Sequence, residues 1–430
     1  MIFLIKNNAQ KKTFLDNSRW QQAVDMKKIL FISLHVSTPS DFRAPRNFSL
    51  MRSLVAQGYK VQIVTSTSDH LATAPQFKGS YHTEFIEGVE VTWVRCLNYK
   101  KTYSIRRVLS WLDFELKTLL LRKSALIDAD YVIASSLSIL SIISGYIYSR
   151  RLAAKFVFEV RDIWPLTLVD EGGFSQNNPI IRLLGYLEKF GYKKADLIIG
   201  TMPNLQEHVK NVAPQVSSDV ICIPMGYSNW HLERQTNLRQ DYENEYLPED
   251  KFIVTHLGSI GLSNALETLI KCADQLCEYS NIHFLVVGQG DSLSKLKATT
   301  SNLKNITFAP HIPKEEVQSL LKKSDLLFFS SSKTEIWKYG QSLNKLVDYM
   351  LSGRPIIGSY SGYASMVNEA GCGEFVEAEN PSILAKKILE YSEMSRSEID
   401  SLGMNGQTWL LENRHYDTLA SDLNRALEKL

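Results

Sequence analysis

Short apolar runs of four to six residues, each followed by a helix-length amphipathic stretch, recur along most of the chain, and this alternation narrows the folds open to it. Ile29–Ser33, Val61–Thr65, Val89–Val94, Tyr131–Ala134, Phe156–Val160 and Leu197–Gly200 read as strands buried on both faces, with Ile221–Pro224 leading out. A polar, charged stretch follows, and a second series then opens with Phe252–Leu257, Ile282–Val287, Ile306–Phe308, Leu326–Phe329, Pro355–Gly358 and Gly373–Val376. The expectation is an α/β protein of two doubly wound parallel sheets, because 430 residues exceed what one core holds. Residues 1–25 are expected outside the fold, 26–226 form a first domain, 227–250 a linker and 251–408 a second domain, with 409–430 a closing helix.

Charge and cysteine usage exclude several classes. The net charge of +2 conceals 27 Lys/Arg against 17 Asp/Glu in residues 1–200 and 21 against 29 in the remainder. A basic first half suits contact with a phospholipid surface or a lipid pyrophosphate, or is scattered solvated charge. No nucleic-acid partner is expected. Five cysteines without a Cys-x-x-Cys pair favour reduced thiols, hence a cytoplasmic setting, and argue against structural zinc. The first 25 residues lack a secretory signal pattern. Residues 131–149 are apolar but rich in serine and glycine, which fits a buried strand and helix better than a membrane span. Tyr103–Lys123 interleaves aromatics, leucines and cations; it is either a membrane-interface helix or an ordinary packed amphipathic one.

The segment from Glu335 to Pro355 carries the strongest chemical signal. It begins after the buried run Leu326–Ser330, where an open α/β sheet binds ligands. Ser342 or Asn344 can cap the helix that follows, whose unpaired N–H groups suit a phosphate; Lys345 adds a full charge there. Asp348, one turn on, can accept hydrogen bonds from a ribose diol. His256-Leu-Gly-Ser-Ile-Gly-Leu-Ser263 also follows a strand, so Gly258, Ser259 and Gly261 can bring backbone N–H groups to a diphosphate.

Tyr339 to Tyr349, together with Phe158-Glu-Val-Arg-Asp-Ile-Trp-Pro165, resembles the retaining glycosyltransferases of family 4, and within them the bacterial surface-polysaccharide enzymes similar to fucosamine transferases. The resemblance runs from about Met26 to the C-terminus. It implies the GT-B architecture: two facing Rossmann-like domains, an interdomain cleft, and a last helix that crosses back to the first domain. It also implies donor contacts from Tyr339, Gly340, Ser342, Asn344, Lys345, Leu346 and Asp348, a turn at Gly288 and Gly290 beneath the nucleotide, and backbone contacts to the base from Pro310, His311 and Ile312.

Three departures from the family pattern stand out. The first acid of its paired-glutamate motif falls on Gly340 and the second on Asp348; its arginine and lysine diphosphate contacts fall on Ser259 and about Asn264; its histidine near the reacting sugar falls on Arg161. Lys345 is therefore the expected source of charge. Arg161 and Asp162 are expected at the reacting centre, with Asp162 either orienting an acceptor hydroxyl or pairing with Arg161. Arg43 and Arg46 occupy the loop after the first strand, where they can meet an acceptor pyrophosphate.

Asp128-Ala-Asp130 mimics a metal-binding pair but precedes a strand, which reads as a solvated turn, so no catalytic metal and no cofactor are expected. The implied activity moves an N-acetylated amino or deoxyamino sugar from a UDP-sugar to a polyprenyl pyrophosphate-linked saccharide, on the inner face of the cytoplasmic membrane. A sugar-nucleotide 2-epimerase of the same fold, or a catalytically silent partner protein, are the alternatives.

Overall fold

A strand rich in Ile, Val and Phe buries both faces only when helices cover both sides of its sheet, and the chain meets this requirement twice. The computed structural model describes residues 26–39, 46–68, 74–99, 105–136, 138–261 and 264–430. The first sheet contains β1 (Lys28–Ser33), β2 (Lys60–Ser66), β3 (Tyr81–Ile86), β4 (Val89–Val94), β5 (Tyr131–Ser135), β6 (Lys155–Val160), β7 (Leu197–Gly200) and β8 (Asp219–Cys222) in the order β3-β4-β2-β1-β5-β6-β7-β8. All its pairs are parallel except the β3–β4 hairpin.

The second sheet, all parallel, orders β9 (Phe252–Leu257), β10 (Ile282–Val287), β11 (Ile306–Ala309), β12 (Leu326–Ser330), β13 (Ile356–Ser359) and β14 (Gly373–Val376) as β11-β10-β9-β12-β13-β14. Strand order reverses between β9 and β12, which opens a crevice at their carboxyl ends.

The helices that matter below are α1 (Arg46–Ala56), α2 (Ile105–Leu119), α3 (Ser141–Arg151), α4 (Pro179–Lys194), α5 (Asn344–Leu351), α6 (Arg396–Asn413) and α7 (Tyr416–Leu427). Helix α7 returns to the first lobe and packs along α1: Ser53 Oγ donates to Asp417 at 2.7 Å, and Tyr59 pairs with Asn424 at 2.5 Å. Leu419, Leu423 and Leu427 share a core with Phe31, Met51 and Val61.

Several local features differ from the sequence reading. The closing segment is two helices, broken at Arg414, because Tyr227 N–H bonds to Arg414 O and Tyr416 N–H to Tyr227 O. The polar stretch between the lobes contains two short helices, Asn229–Glu233 and Gln240–Tyr246. Strand β3 escaped the sequence reading because its mean exposure is high and it covers only the sheet edge. Strand β8 starts two residues before the expected run, since its register is set by pairing Asp219 with Leu197.

Candidate active site

The carboxyl ends of β6, β9 and β12 face one cleft of about 340 Å³ between the lobes. Arg161, Asp162, Thr167 and Glu171 enter it from the first lobe; Ser259, Asn264, Ser330 and Lys345 enter from the second. Arg161 is held there by its backbone: its N–H donates to Ser136 Oγ at 3.0 Å, and its carbonyl accepts from Thr201 Oγ at 3.1 Å. The guanidinium Nε has no hydrogen-bond partner among the described residues. Arg161 and Asp162 share no direct ion pair, yet their charges act on each other across the strand end.

Asp162 is exposed, but to the cleft rather than to open solvent. Enclosure by the two lobes raises its carboxyl above the ordinary range, while Arg161 and Arg107 pull it back. Glu171 is raised too, by burial and then by the negative charges of Asp162 and Asp170. This second cleft carboxylate was absent from the sequence expectations. Its signal was weak, an acid closing the short helix Leu166–Asp170.

Lys345 stands at the start of α5. The helix has Leu343 as N-cap with no side-chain cap, so its first N–H groups lack an internal acceptor. Ser342 and Asn344, expected to cap it, do neither: Ser342 Oγ accepts from Met225 N–H at 3.3 Å, and Asn344 is exposed. Lys345 Nζ donates to Asn264 Oδ1 at 2.6 Å and has no carboxylate partner among the described residues. Burial alone pulls the ammonium down to about 8. Behind it lies His256, fully buried on β9 and depressed to about 3 by burial and then by Lys345. That ring is neutral at any ordinary pH.

Tyr349 fixes the angle of α5. Its hydroxyl accepts from Leu257 N–H at 2.9 Å and lies 3.1 Å from Phe328 O, binding the helix to the end of β9 and the middle of β12.

Four expectations are corrected. Asp348, expected on a ribose, has its carboxylate occupied by Lys314 Nζ at 2.5–2.6 Å and lines a separate shallow recess with His231. Tyr339 and Gly340, expected on the donor, instead join the lobes. The Tyr339 ring stacks edge-on to His208 at 4.9 Å and its carbonyl accepts from Asn204 N–H at 3.0 Å; Gly340 has φ +100° with Pro203 Cδ where a Cβ would lie at 2.5 Å. Arg46, expected on an acceptor pyrophosphate, is 2% exposed, ion-paired to Glu159 at 2.6 Å and bonded to Ile223 O and Pro224 O. Arg43 lies outside the described residues.

The glycine loops are the fourth correction. Gly258 N–H donates to Val287 O and Gly288 N–H to Ala309 O, so these amides serve the sheet rather than a diphosphate. Gly288 and Gly290 are required because a Cβ would meet Gly258 O at 1.9 Å and Ile260 O at 2.2 Å. Gly261 lies before residues outside the described ones. Ser259 alone of this motif lines the cleft. Pro310 and His311 stay exposed past β11, Pro310 O accepts from Tyr242, and Ile312 and Leu346 are core residues.

With this geometry in hand, the class is clear: the two-lobed arrangement is the GT-B fold. Sucrose-phosphate synthase from Thermosynechococcus elongatus superposes with a TM-score of 0.70 at 16% identity, covering 94% of this chain and 98% of that one. HepE from Anabaena, solved in complex with UDP and glucose, gives 0.63 at 17% identity over 94% and 100%.

In sequence, residues 239–409 match the family model described as "Glycosyl transferases group 1". A probable glycosyltransferase of Pseudomonas aeruginosa, WbjE, is 24% identical over 272 residues, 61% of this chain and 65% of WbjE. The chain thus shares the GT-B fold over 94% of its length and a sequence likeness to group 1 glycosyltransferases over residues 239–409, and it spans just under two thirds of the length of WbjE. Among the described residues, no three His, Cys, Asp or Glu side chains group as a metal site, and no helix is long and apolar enough to cross a membrane.

Proposed function

We propose that this protein is a glycosyltransferase that moves a sugar from a nucleoside diphosphate donor, UDP being the preferred one, to a lipid-linked saccharide in surface-polysaccharide biosynthesis. The observation that carries the reading is Lys345: a cation with no carboxylate partner among the described residues, at an uncapped helix start, facing the interlobe cleft. Such a site lowers the cost of a leaving diphosphate, whose charge grows as the glycosidic bond breaks. HepE, a neighbour in fold, is solved with UDP, and WbjE is named as a probable glycosyltransferase; both support the same direction.

In this reading the diphosphate rests on Lys345 and the open N–H groups of α5, and Ser259 and Ser330 supply neutral donors in place of the family's basic pair. The transferred sugar lies between Lys345 and the Arg161–Asp162 strand end. Arg161, with a free Nε–H, binds sugar hydroxyls or the proximal phosphate, and Asp162 or Glu171 orients the acceptor hydroxyl. The departing phosphate oxygen takes the acceptor's proton on the face that the bond leaves, which retains configuration and needs no separate strong base. The 2-epimerase alternative needs a histidine beside the ring; no histidine among the described residues lines the cleft, and His256 on β9 is sealed within the sheet.

A thermal-shift panel of UDP, GDP, ADP and their sugars tests the reading. UDP is expected to raise the melting temperature of the wild type and to lose most of that effect with Lys345→Ala. Equal stabilisation of both proteins would overturn the site; binding without transfer to any lipid-linked acceptor would favour the silent partner.

A further inference from the structure

Helix α2 is apolar on the side that faces water. Ile105, Val108, Leu109, Leu112, Leu116 and, just past its end, Leu120 are exposed by 45% to 80%, at the spacing of one helical stripe. The opposite side of α2 buries Trp111 and Phe114 against the lobe, so the stripe is not an unpacked core face. Helix α4 repeats the pattern, with Ile180, Leu183 and Tyr186 each exposed by 65% to 66%. Between them lies α3, bonded to α2 through Tyr148 Oη and Thr118 O and stacked on α4 through Tyr146 and Phe190. The three helices are therefore contiguous on the first lobe.

Its charge is one-sided. Exposed cations edge both helices: Arg106, Arg122 and Lys123 around α2, Arg182, Lys189 and Lys193 on α4. The acids of the same helices turn inward. Glu115 is buried, Asp113 accepts from Leu97 N–H and Lys117, and Glu188 is held by Tyr192 and His208.

We propose that the α2–α3–α4 surface docks on an anionic phospholipid bilayer, with the leucine stripe in the interface and the cations among the headgroups. Apolar stripes bordered by Lys and Arg match the two layers of such a surface. A second copy of the chain is the poorer occupant, because a two-fold contact of this face with itself would set cations against cations. The purpose rests on the lipid-linked acceptor proposed above; the docking itself stands on this face alone.

The test is co-sedimentation of the full-length protein with vesicles of phosphatidylcholine alone or with about one third phosphatidylglycerol, at low and high salt. The wild type is expected to bind only the anionic vesicles, and less at high salt. The double variant Leu112→Glu/Leu116→Glu is expected to lose at least about tenfold in bound fraction, with its circular dichroism and UDP thermal shift unchanged. Arg182→Glu/Lys189→Glu is expected to abolish the salt-sensitive part. Failure of the wild type to bind, or equal binding by the variants, overturns the docking. So does a dimer in light scattering that Leu112→Glu/Leu116→Glu converts to a monomer without vesicle binding. Vesicle binding that persists where UDP gives no thermal shift sinks the glycosyltransferase reading alone.

Discussion

Lys345 shows what burial does to a single charge. Its ammonium is drawn down to about 8, so the lysine is half neutral at mildly alkaline pH. The sign follows from the free protein: burial penalises the charged form below about 8, and the penalty lifts as pH rises toward the ordinary 10.5. A diphosphate reverses this by holding the proton on. UDP affinity is therefore expected to fall roughly threefold to tenfold between about pH 7 and pH 9. Titration calorimetry would read the fall, and Lys345→Gln should flatten it. A pH-independent affinity in the wild type would remove Lys345 from the diphosphate. Arg46 is the counter-case. It looked equally free in sequence, yet it neutralises Glu159 inside the first lobe and keeps that carboxyl below its ordinary range.

The elements set which residues reach the cleft. Tyr349 ties α5 to β9 and β12, so Lys345, one turn earlier, points between the lobes while Asp348 is turned to Lys314. Helix α2 carries a different consequence. Glu115, on the buried side of this helix and 5% exposed, has its carboxyl raised to about 7 by burial, with Ser144 of α3 pulling it partly back. A raised carboxyl contributes its full stability below the unfolded value near 4.5 and loses it as pH climbs through about 7. The loss amounts to about 3 kcal/mol. Urea denaturation at pH 5 and pH 8 should register this fall in the wild type. Glu115→Gln should be nearly flat over the same range, and an unchanged slope in that variant would place the titration elsewhere.

At the scale of the whole molecule, the lobes are joined on one side of the cleft by the turn from Glu335 to Tyr339. Ile336 N–H donates to Asp170 at 2.9 Å, Asn204 bonds to the carbonyls of Lys338 and Tyr339, and Gly340 seats against Pro203. Helix α7 joins them again at the far end through α1. Gly340→Val strains a positive φ and drives a side chain into Pro203. The expected result is a more open particle in small-angle scattering and a turnover loss of about tenfold or more, with UDP binding changed less, because most of the diphosphate contacts proposed above, Lys345, Ser259 and Ser330, lie on the second lobe. A closed particle with normal turnover would show that this contact does not set the lobe spacing.

Most of the architecture could be read in the chain because buried parallel strands need long apolar runs, and those runs are local. Leu326–Ser330 and Phe252–Leu257 were visible for this reason, as was the helix start at Lys345. The edge strand β3 was not, since one solvated face dilutes its pattern. What local sequence determined, then, was the buried core strands, the two-lobed α/β class and the cation at the cleft. Tertiary structure alone decided which charges are spent inside the protein. Pairings such as Arg46 with Glu159 and Lys314 with Asp348 span 113 and 34 residues, and no local pattern encodes a partner brought near only by folding. It also decided that the stripe on α2 faces water, because an amphipathic sequence states that a helix has an apolar side without stating what will cover it.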